Sequence, residues 1–353
     1  MKKEILNYTP EELGKEIKRL GAPAYRARQI FSWINKQGAA EFKEIHGIPG
    51  KLIAELEKRF VICTLSRKAH FVSRKDGTEK FLWELKDGRH IETVLIRAGS
   101  RRTVCLSTQV GCRFKCPFCA SGSRGLIRDL ESSEIVNQVL CVRKIKRCRP
   151  TNVVFMGIGE PLDNYDNLEK AIRIINHPAG INLGARKITV STCGIVPGIK
   201  RLKKIGLQVG LSVSLHAADN KLRNELVPVN REYPLEELMA ACKEFVRTTG
   251  RIITLEYTLI KGKNDSPEDA QRLGKMARQL KAKVNLIACN PGTADKKYYA
   301  DGKKMEEFGS QVRRERVPVT VREPKGEDIL AACGQLAVRK AGERRLRGAK
   351  DEI

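Results

Sequence analysis

The chain has 353 residues, with 67 lysines and arginines against 41 acidic residues, a formal net charge of +26, and eleven cysteines. No apolar run approaches the roughly 18 residues of a membrane-spanning helix, and no apolar segment typical of a signal peptide follows Met1, so we expect no membrane association, a cytoplasmic location and reduced thiols. The charge excess predicts a polyanionic partner, most often nucleic acid.

Residues 1–60 are predicted to form a small helical domain. Thr9-Pro10-Glu11-Glu12 is typical of a helix start, with a capping threonine and proline at the first helical position. A second helix is predicted over 24–35, and a third over 52–60, after the break at Pro49-Gly50.

Residues 61–100 are predicted to form a β-hairpin extension. The segments 80–85 and 91–96 are strand-like, and Asp87-Gly88 between them is a turn signal.

From about residue 102 strands and helices alternate, which is the pattern of a parallel sheet with crossover helices. The predicted strands are 103–107, 152–156, 187–191, 209–215, 252–259 and 284–288, and the predicted helices between them include 133–146, 235–246 and 267–280. The sequence therefore predicts an α/β fold, a partial (β/α)6 barrel of TIM type over 101–336, with a basic tail over 337–353. An open doubly wound sheet is the alternative.

Polar and unusual residues follow the ends of five of these strands. In β/α barrels the active site lies at the carboxyl ends of the strands, so we expect these residues to surround one mouth. They are the cysteine run after the first strand, Gly157 to Pro161 after the second, Ser191 to Gly194 at the third, Ser214 to His216 at the fourth, and Asn290-Pro291 beyond the sixth.

Three cysteines, Cys112, Cys116 and Cys119, stand at the spacing C-x3-C-x2-C with no fourth cysteine nearby. A loop of this kind holds three corners of a [4Fe–4S] cluster and leaves one iron open for chemistry. Zinc is the competing interpretation, but structural zinc usually takes four ligands in paired C-x2-C knuckles.

The cysteine run, with the aromatic Phe118 before its last cysteine, resembles the signature of the radical S-adenosylmethionine (SAM) enzymes. The resemblance implies that the three cysteines hold the cluster and that the open iron chelates SAM. Further motifs narrow it to the dual-specificity RNA methyltransferases that modify carbon 2 of an adenine. These motifs are 105–112, 159–162, 214–217, 285–287 with Asn290-Pro291, and 331–336, together with 25–30 in the helical domain.

The resemblance implies a role for each site residue. Cys333 accepts a methyl group from one SAM, a second SAM supplies a radical, Glu92 accepts a proton, and Cys105 forms a disulfide with Cys333 to release the product. Contact with SAM is implied for seven residues: Gly159, Glu160, Ser191, Ser214, Leu215, His216 and Asn290.

The implied partners are 23S rRNA and tRNA, bound with the help of the helical domain, and an electron donor such as flavodoxin or ferredoxin. We expect a monomer. The atypical segments 291–297 and 322–325 leave room for carbon 8 methylation or another RNA target. The alternatives from other classes are a glycyl-radical activase acting on protein and an RNA-binding iron–sulfur protein without catalysis.

Overall fold

The computed structural model describes residues 2–123, 125–290 and 301–336. The predicted basic tail 337–353, the atypical segment 291–297 and Pro291 therefore lie outside the described residues.

The amino-terminal part is helical, as predicted. Thr9 caps its helix reciprocally with Glu12, because the Thr9 hydroxyl accepts from the Glu12 N–H at 3.3 Å and the Glu12 carboxylate accepts from the Thr9 N–H at 2.9 Å. The second helix continues into a π-helical turn at Trp33–Gln37. The helices are α1 (Pro10–Arg19), α2 (Tyr25–Ser32) and α3 (Gly50–Arg59), and two short parallel strands, β1 (Lys3–Glu4) and β2 (Phe60–Val61), join the ends of this part.

The remaining strands form one sheet of ten strands and a separate pair. The sheet order is β14-β13-β12-β11-β10-β9-β6-β5-β4-β3. Its strands are β3 (Ser66–Val72), β4 (Glu79–Glu84), β5 (His90–Ala98), β6 (Arg101–Cys105), β9 (Asn152–Phe155), β10 (Ile188–Thr192), β11 (Gly210–Ser214), β12 (Thr254–Leu259), β13 (Lys283–Ala288) and β14 (Val319–Arg322), and the separate pair is β7 (Gln109–Gly111) with β8 (Leu126–Asp129).

The predicted α/β barrel is confirmed, since β6 and β9 to β14 pair in parallel and helices connect them. The predicted hairpin strands extend the same sheet through antiparallel pairing of β5 with β6. The sequence missed β3 and the last parallel strand, β14. The helices are α4 (Ser132–Lys146), α5 (Tyr165–Asn176), α6 (Val196–Leu202), α7 (Asn220–Leu226), α8 (Leu235–Thr249), α9 (Pro267–Gln279) and α10 (Gly302–Arg313).

The amino-terminal helices and the barrel share one hydrophobic core. Polar contacts reinforce this docking at the start of α4, where the side-chain oxygen of Asn7 accepts hydrogen bonds from the Ser132 hydroxyl and the Ser133 N–H, each at 2.8 Å. In the part of the chain that the structure describes, no helix combines the length and apolar character needed to cross a lipid bilayer.

Candidate active site

The carboxyl ends of the parallel strands open into a cavity of about 1000 Å³. This is the place that the barrel geometry predicted, because parallel strands present their carboxyl ends at one rim. Ten of the predicted site residues line it: Cys112, Cys116, Cys119, Gly159, Glu160, Ser191, Ser214, His216, Asn290 and Cys333.

The cysteine loop is shaped by close backbone contacts. Gly111 has φ of +81°, and a Cβ there would lie 2.0 Å from the carbonyl oxygen of Gly125, so only glycine fits. The Cys116 N–H donates to the Phe114 carbonyl at 2.9 Å, and the Cys119 N–H donates to the Cys116 carbonyl at 3.0 Å. With these tight turns, all three cysteines line the cavity.

The three thiols form an electrostatically coupled group. Burial, with smaller contributions from the charges of Glu160 and Cys119, raises the pKa of Cys112 to about 12. Burial also raises the pKa of Cys116, with added repulsion from Cys119 and Cys112. Three buried thiolates beside a carboxylate need a cation to offset their charge, and an iron–sulfur cluster combines positive iron with thiolate coordination. The donor set therefore suits iron.

Glu160 is held at the cavity wall by backbone donors. Its carboxylate accepts from the Leu162 N–H at 3.0 Å and from the Cys193 N–H at 2.8 Å. Burial raises its pKa, and these two hydrogen bonds oppose that rise. Gly159 precedes it with φ of +103°, where a Cβ would lie 2.5 Å from the side chain of Gln109. A fixed carboxylate beside bare backbone suits a ligand that carries an ammonium group.

His216 is a neutral imidazole at the end of the fourth strand. Its Nδ1 accepts from the Thr258 N–H at 2.9 Å, which places the proton on Nε2. Burial, with a smaller contribution from the charge of Arg223, lowers its pKa to about 3. The ring stands edge-on to Phe118, with 4.5 Å between the ring centroids, so the histidine contacts the cysteine loop.

The loop that carries Cys333 is pinned from two sides. The Asp328 carboxylate accepts from the Ser73 hydroxyl at 2.7 Å, and the Gly326 N–H donates to the Asp76 carboxylate at 2.9 Å. On the other side the Ala120 N–H donates to the Gly334 carbonyl at 2.7 Å. The loop therefore connects the turn between β3 and β4 to the cysteine loop.

Cys333 faces the cavity, and two further predicted residues lie near it. Its side chain is exposed to the cavity, while the surrounding protein raises its pKa by desolvation and Arg322 opposes that rise. Cys105, the last residue of β6, is buried, and burial with added repulsion from Cys333 raises its pKa to about 12. The Asn290 side chain donates to the Cys333 carbonyl at 2.9 Å. Asn290 therefore contacts Cys333 directly, whereas Cys105 packs in one hydrophobic cluster with Ala331 and Leu336 of the Cys333 loop.

Glu92 and Leu215 are buried and are not among the described residues that line the cavity. Glu92 is buried, and its Oε1 lies 3.0 Å from Nζ of Lys80. Nζ of Lys80 also donates to the Leu330 carbonyl at 3.2 Å, three residues before Cys333. Leu215 is buried, and its carbonyl accepts from Nε of Arg223 at 3.1 Å.

Sequence reasoning missed Arg223, a fully buried side chain at the site. Besides Leu215, its guanidinium donates to the carbonyls of Cys193 at 2.6 Å and Ser214 at 3.3 Å, and to the Asn230 side chain at 2.8 Å. It therefore ties together the ends of the third and fourth barrel strands. An arginine in a short helix has no signal in the sequence that separates it from a surface residue.

Glu256 on β12 was missed as well. It lines the cavity, its Oε1 accepts from the Asn285 side chain at 3.1 Å, and its Oε2 lies 3.9 Å from Arg322. Burial raises its pKa, and Arg322 opposes this. The single charged residue in an otherwise uncharged, buried strand was the available signal.

Comparisons with known proteins agree with this geometry. Residues 106–274 match the Radical SAM superfamily, and residues 3–62 match the ribosomal RNA large subunit methyltransferase N-terminal domain. The chain is 43% identical over 342 residues to the "Probable dual-specificity RNA methyltransferase RlmN" of Thermotoga maritima, covering 97% of this chain and 99% of the relative. It is 42% identical over 334 residues to the protein of the same name from Clostridium novyi, covering 95% and 97%.

The chain belongs to this family of radical SAM RNA methyltransferases. A crystal structure of a radical SAM methyltransferase from Sphaerobacter thermophilus superposes with a TM-score of 0.91 at 43% identity, covering 95% of this chain and 99% of that one. As a member of the radical SAM family the chain is an enzyme that uses a [4Fe–4S] cluster and SAM. The predicted family, fold and cofactors are thereby confirmed.

Proposed function

We propose that this enzyme methylates carbon 2 of an adenine in 23S rRNA and in tRNA, through a methyl group first carried by Cys333. The observation that supports this most is the convergence of Cys333 with Cys112, Cys116 and Cys119 on one cavity, since residues from opposite ends of the barrel sequence line the same space. The family relationship supports RNA as the substrate class.

In the proposal Cys112, Cys116 and Cys119 hold the cluster, and Glu160 with Gly159 receives the amino group of SAM. Ser191, Ser214, Leu215, His216 and Asn290 complete the SAM site. Of these, neutral His216 offers an Nε2–H donor, and the backbone of Leu215 is fixed by Arg223. When bound by these residues, the cluster would supply the electron that cleaves SAM, and SAM would supply the radical needed to take a hydrogen atom from a methyl group.

The remaining chemistry belongs to side chains of the chain. Cys333 accepts the first methyl group on sulfur, which requires its thiolate, and Arg322 favours that form. Glu92 takes the proton that leaves the adenine carbon. The adduct formed by radical addition passes its unpaired electron to the redox partner. The Cys105 thiolate then attacks the Cys333 sulfur, so that a disulfide forms while the carbon–sulfur bond to the product breaks, and the released carbon takes up the proton held by Glu92. The proposal requires Cys105 to reach the Cys333 sulfur, and the electrostatic interaction between the two thiols supports this.

Direct evidence comes from mass spectrometry of rRNA and tRNA from cells that lack this protein. We expect 2-methyladenine to disappear from both RNAs and to return with the unmodified gene. Cys333→Ala should restore nothing and form no adduct, whereas Cys105→Ala should accumulate RNA covalently bound to Cys333. Cys242→Ala, a buried cysteine on α8, is the matched control and should restore the product.

Three results count against the proposal. If the RNA is unchanged in cells that lack the protein, the protein does not methylate RNA at these sites. A loss of 8-methyladenine in place of 2-methyladenine would establish the alternative carbon. Equal release of free product by Cys105→Ala and the unmodified enzyme would show that no disulfide step is needed.

The proposal also includes a flavodoxin- or ferredoxin-type electron donor and a monomeric, cytoplasmic enzyme.

A further inference from the structure

The α4 helix presents one face to the amino-terminal part of the chain. Ser133, Asn137 and Cys141 lie four residues apart along this face, which places them one above the other on a helix. Ser133 contacts Asn7, and the Asn137 side chain donates to the Ile62 carbonyl at 3.4 Å. The third position of the row, Cys141, meets the residue that follows Ile62.

That residue is Cys63, and the two sulfur atoms lie 3.6 Å apart. Both side chains are half-buried, and 78 positions separate them in the sequence. Neither lines the active-site cavity, and the proposed methyl transfer uses neither of them. The pair is therefore a second dithiol, located where the amino-terminal part docks on the barrel.

The two thiols are electrostatically unequal. The hydrogen bond between the two sulfurs lowers the pKa of Cys63, burial opposes this lowering, and the Leu65 carbonyl and Lys144 add smaller lowering effects. The same hydrogen bond, together with burial, raises the pKa of Cys141. The direction of these shifts favours Cys63 as the attacking cysteine and Cys141 as its resolving partner, and the short distance between the two sulfurs allows the exchange.

We propose that Cys63 and Cys141 form a thiol–disulfide exchange site that takes a low-molecular-weight disulfide of the glutathione type and closes into a disulfide bond. The sulfur atoms need to approach from 3.6 Å to about 2 Å, a movement that side-chain rotation supplies. The bond would join the segment after β2 covalently to α4.

The reaction balances in two exchange steps. The Cys63 thiolate attacks one sulfur of the oxidised small molecule, which forms a mixed disulfide and releases one small thiolate. Cys141 then loses its proton and attacks the Cys63 sulfur, which forms the protein disulfide and releases the second small thiolate. The two cysteines are oxidised by two electrons, and the small disulfide is reduced by two.

The test uses the anaerobically reconstituted holoenzyme with SAM, incubated in glutathione buffers of increasing oxidised fraction. The samples are quenched in acid, alkylated and mapped by mass spectrometry without reduction, while absorbance follows the cluster. We expect a cross-linked peptide containing Cys63 and Cys141 before the cluster signal falls. The oxidised protein should also unfold at a higher temperature than the reduced protein, because the cross-link restricts the unfolded chain.

Two variants separate this site from general thiol oxidation. Cys141→Ser removes the resolving thiol, so glutathione should remain on Cys63, at least about tenfold more than in the unmodified chain. Cys148→Ser, a half-buried cysteine just beyond α4, should leave the cross-link unchanged. The proposal is wrong if Cys63 stays open to alkylation throughout the series, if it pairs with another cysteine, or if the mixed disulfide accumulates equally in the unmodified chain and Cys141→Ser.

Discussion

The ammonium nitrogen of Lys80 lies 3.0 Å from the Glu92 carboxylate and 3.2 Å from the Leu330 carbonyl, so one buried lysine joins the hairpin to the loop that carries Cys333. Leu330 has φ of +53°, a backbone conformation that costs a side-chain-bearing residue energy. The lysine therefore stabilises a strained loop and neutralises the carboxylate beside it.

Replacing Lys80 by methionine should destabilise the protein by about 3–5 kcal/mol, because it leaves the Glu92 charge buried without its cation. Urea unfolding measures the difference. The matched control is Lys68→Met on the neighbouring strand, whose partner Glu84 lies 2.7 Å away in a more exposed pair. Lys68→Met should lower the free energy of unfolding by less than about 1 kcal/mol. Similar losses in both variants would show that burial does not set the importance of the Lys80 pair.

The stability of the hairpin should depend on pH through Glu79. Burial by itself raises the pKa of Glu79, but hydrogen bonds from His70, Lys146 and Arg97 outweigh it and lower the pKa to about 2. A carboxylate whose pKa is lower in the folded protein stabilises it above the unfolded pKa of 4.5 and loses this effect as the pH falls toward about 2.

Glu79→Gln should therefore be about 3 kcal/mol less stable than the unmodified protein above pH 4.5, and the gap should narrow toward pH 2. Unfolding free energies measured across this range test the prediction. Glu84→Gln, on the same strand but in a more exposed ion pair, is the control and should be only slightly less stable than the unmodified protein. A constant gap for Glu79→Gln would mean that its carboxylate does not titrate as described.

Arg223→Leu should weaken SAM binding by at least about tenfold, since the carbonyls of Cys193, Leu215 and Ser214 lose their donor and the strand ends move. Anaerobic equilibrium dialysis gives the dissociation constant. Arg201→Leu removes an exposed arginine that pairs with Asp166 and should bind SAM normally. If both variants bind SAM alike, Arg223 does not shape the site.

Single replacements of Cys112, Cys116 or Cys119 by alanine should abolish the cluster. We expect about four irons per chain in the unmodified protein after anaerobic reconstitution. Iron and sulfide analysis with absorbance spectra provides the measurement, and Cys242→Ala should keep the full cluster. Retention of a full cluster when all three cysteines are replaced would refute their assignment as ligands.

RNA binding should weaken steeply with salt, because the net charge of +26 predicts contacts that release counterions from phosphates. For every two phosphates that the protein contacts, a rise from 50 to 200 mM salt should lower the affinity about tenfold. Filter binding or fluorescence anisotropy at several salt concentrations gives the slope. A flat dependence would show that the basic residues serve another purpose.

Much of the fold could be predicted because its signals are local. The cap at Thr9 and the turn at Asp87-Gly88 depend on neighbouring residues alone, and both regions form as expected. Strand β14 escaped prediction because its burial alternates over only four residues, too short for a periodic signal. Most of the candidate site could be predicted from the rule that β/α barrels carry their active sites at the carboxyl ends of the strands, since this rule needs only the order of strands and loops.

The sequence by itself determined the cysteine spacing, the barrel pattern and the family motifs, and these carry the cofactor and the class of reaction. Only the tertiary structure decided which distant side chains meet. The contacts of Lys80 with Glu92 and Leu330, of Arg223 with two strand ends, and of Cys63 with Cys141 all join residues whose neighbours in sequence do not reveal them. Periodicity reports which face of an element is buried, whereas the partner on that face is set by how whole elements pack.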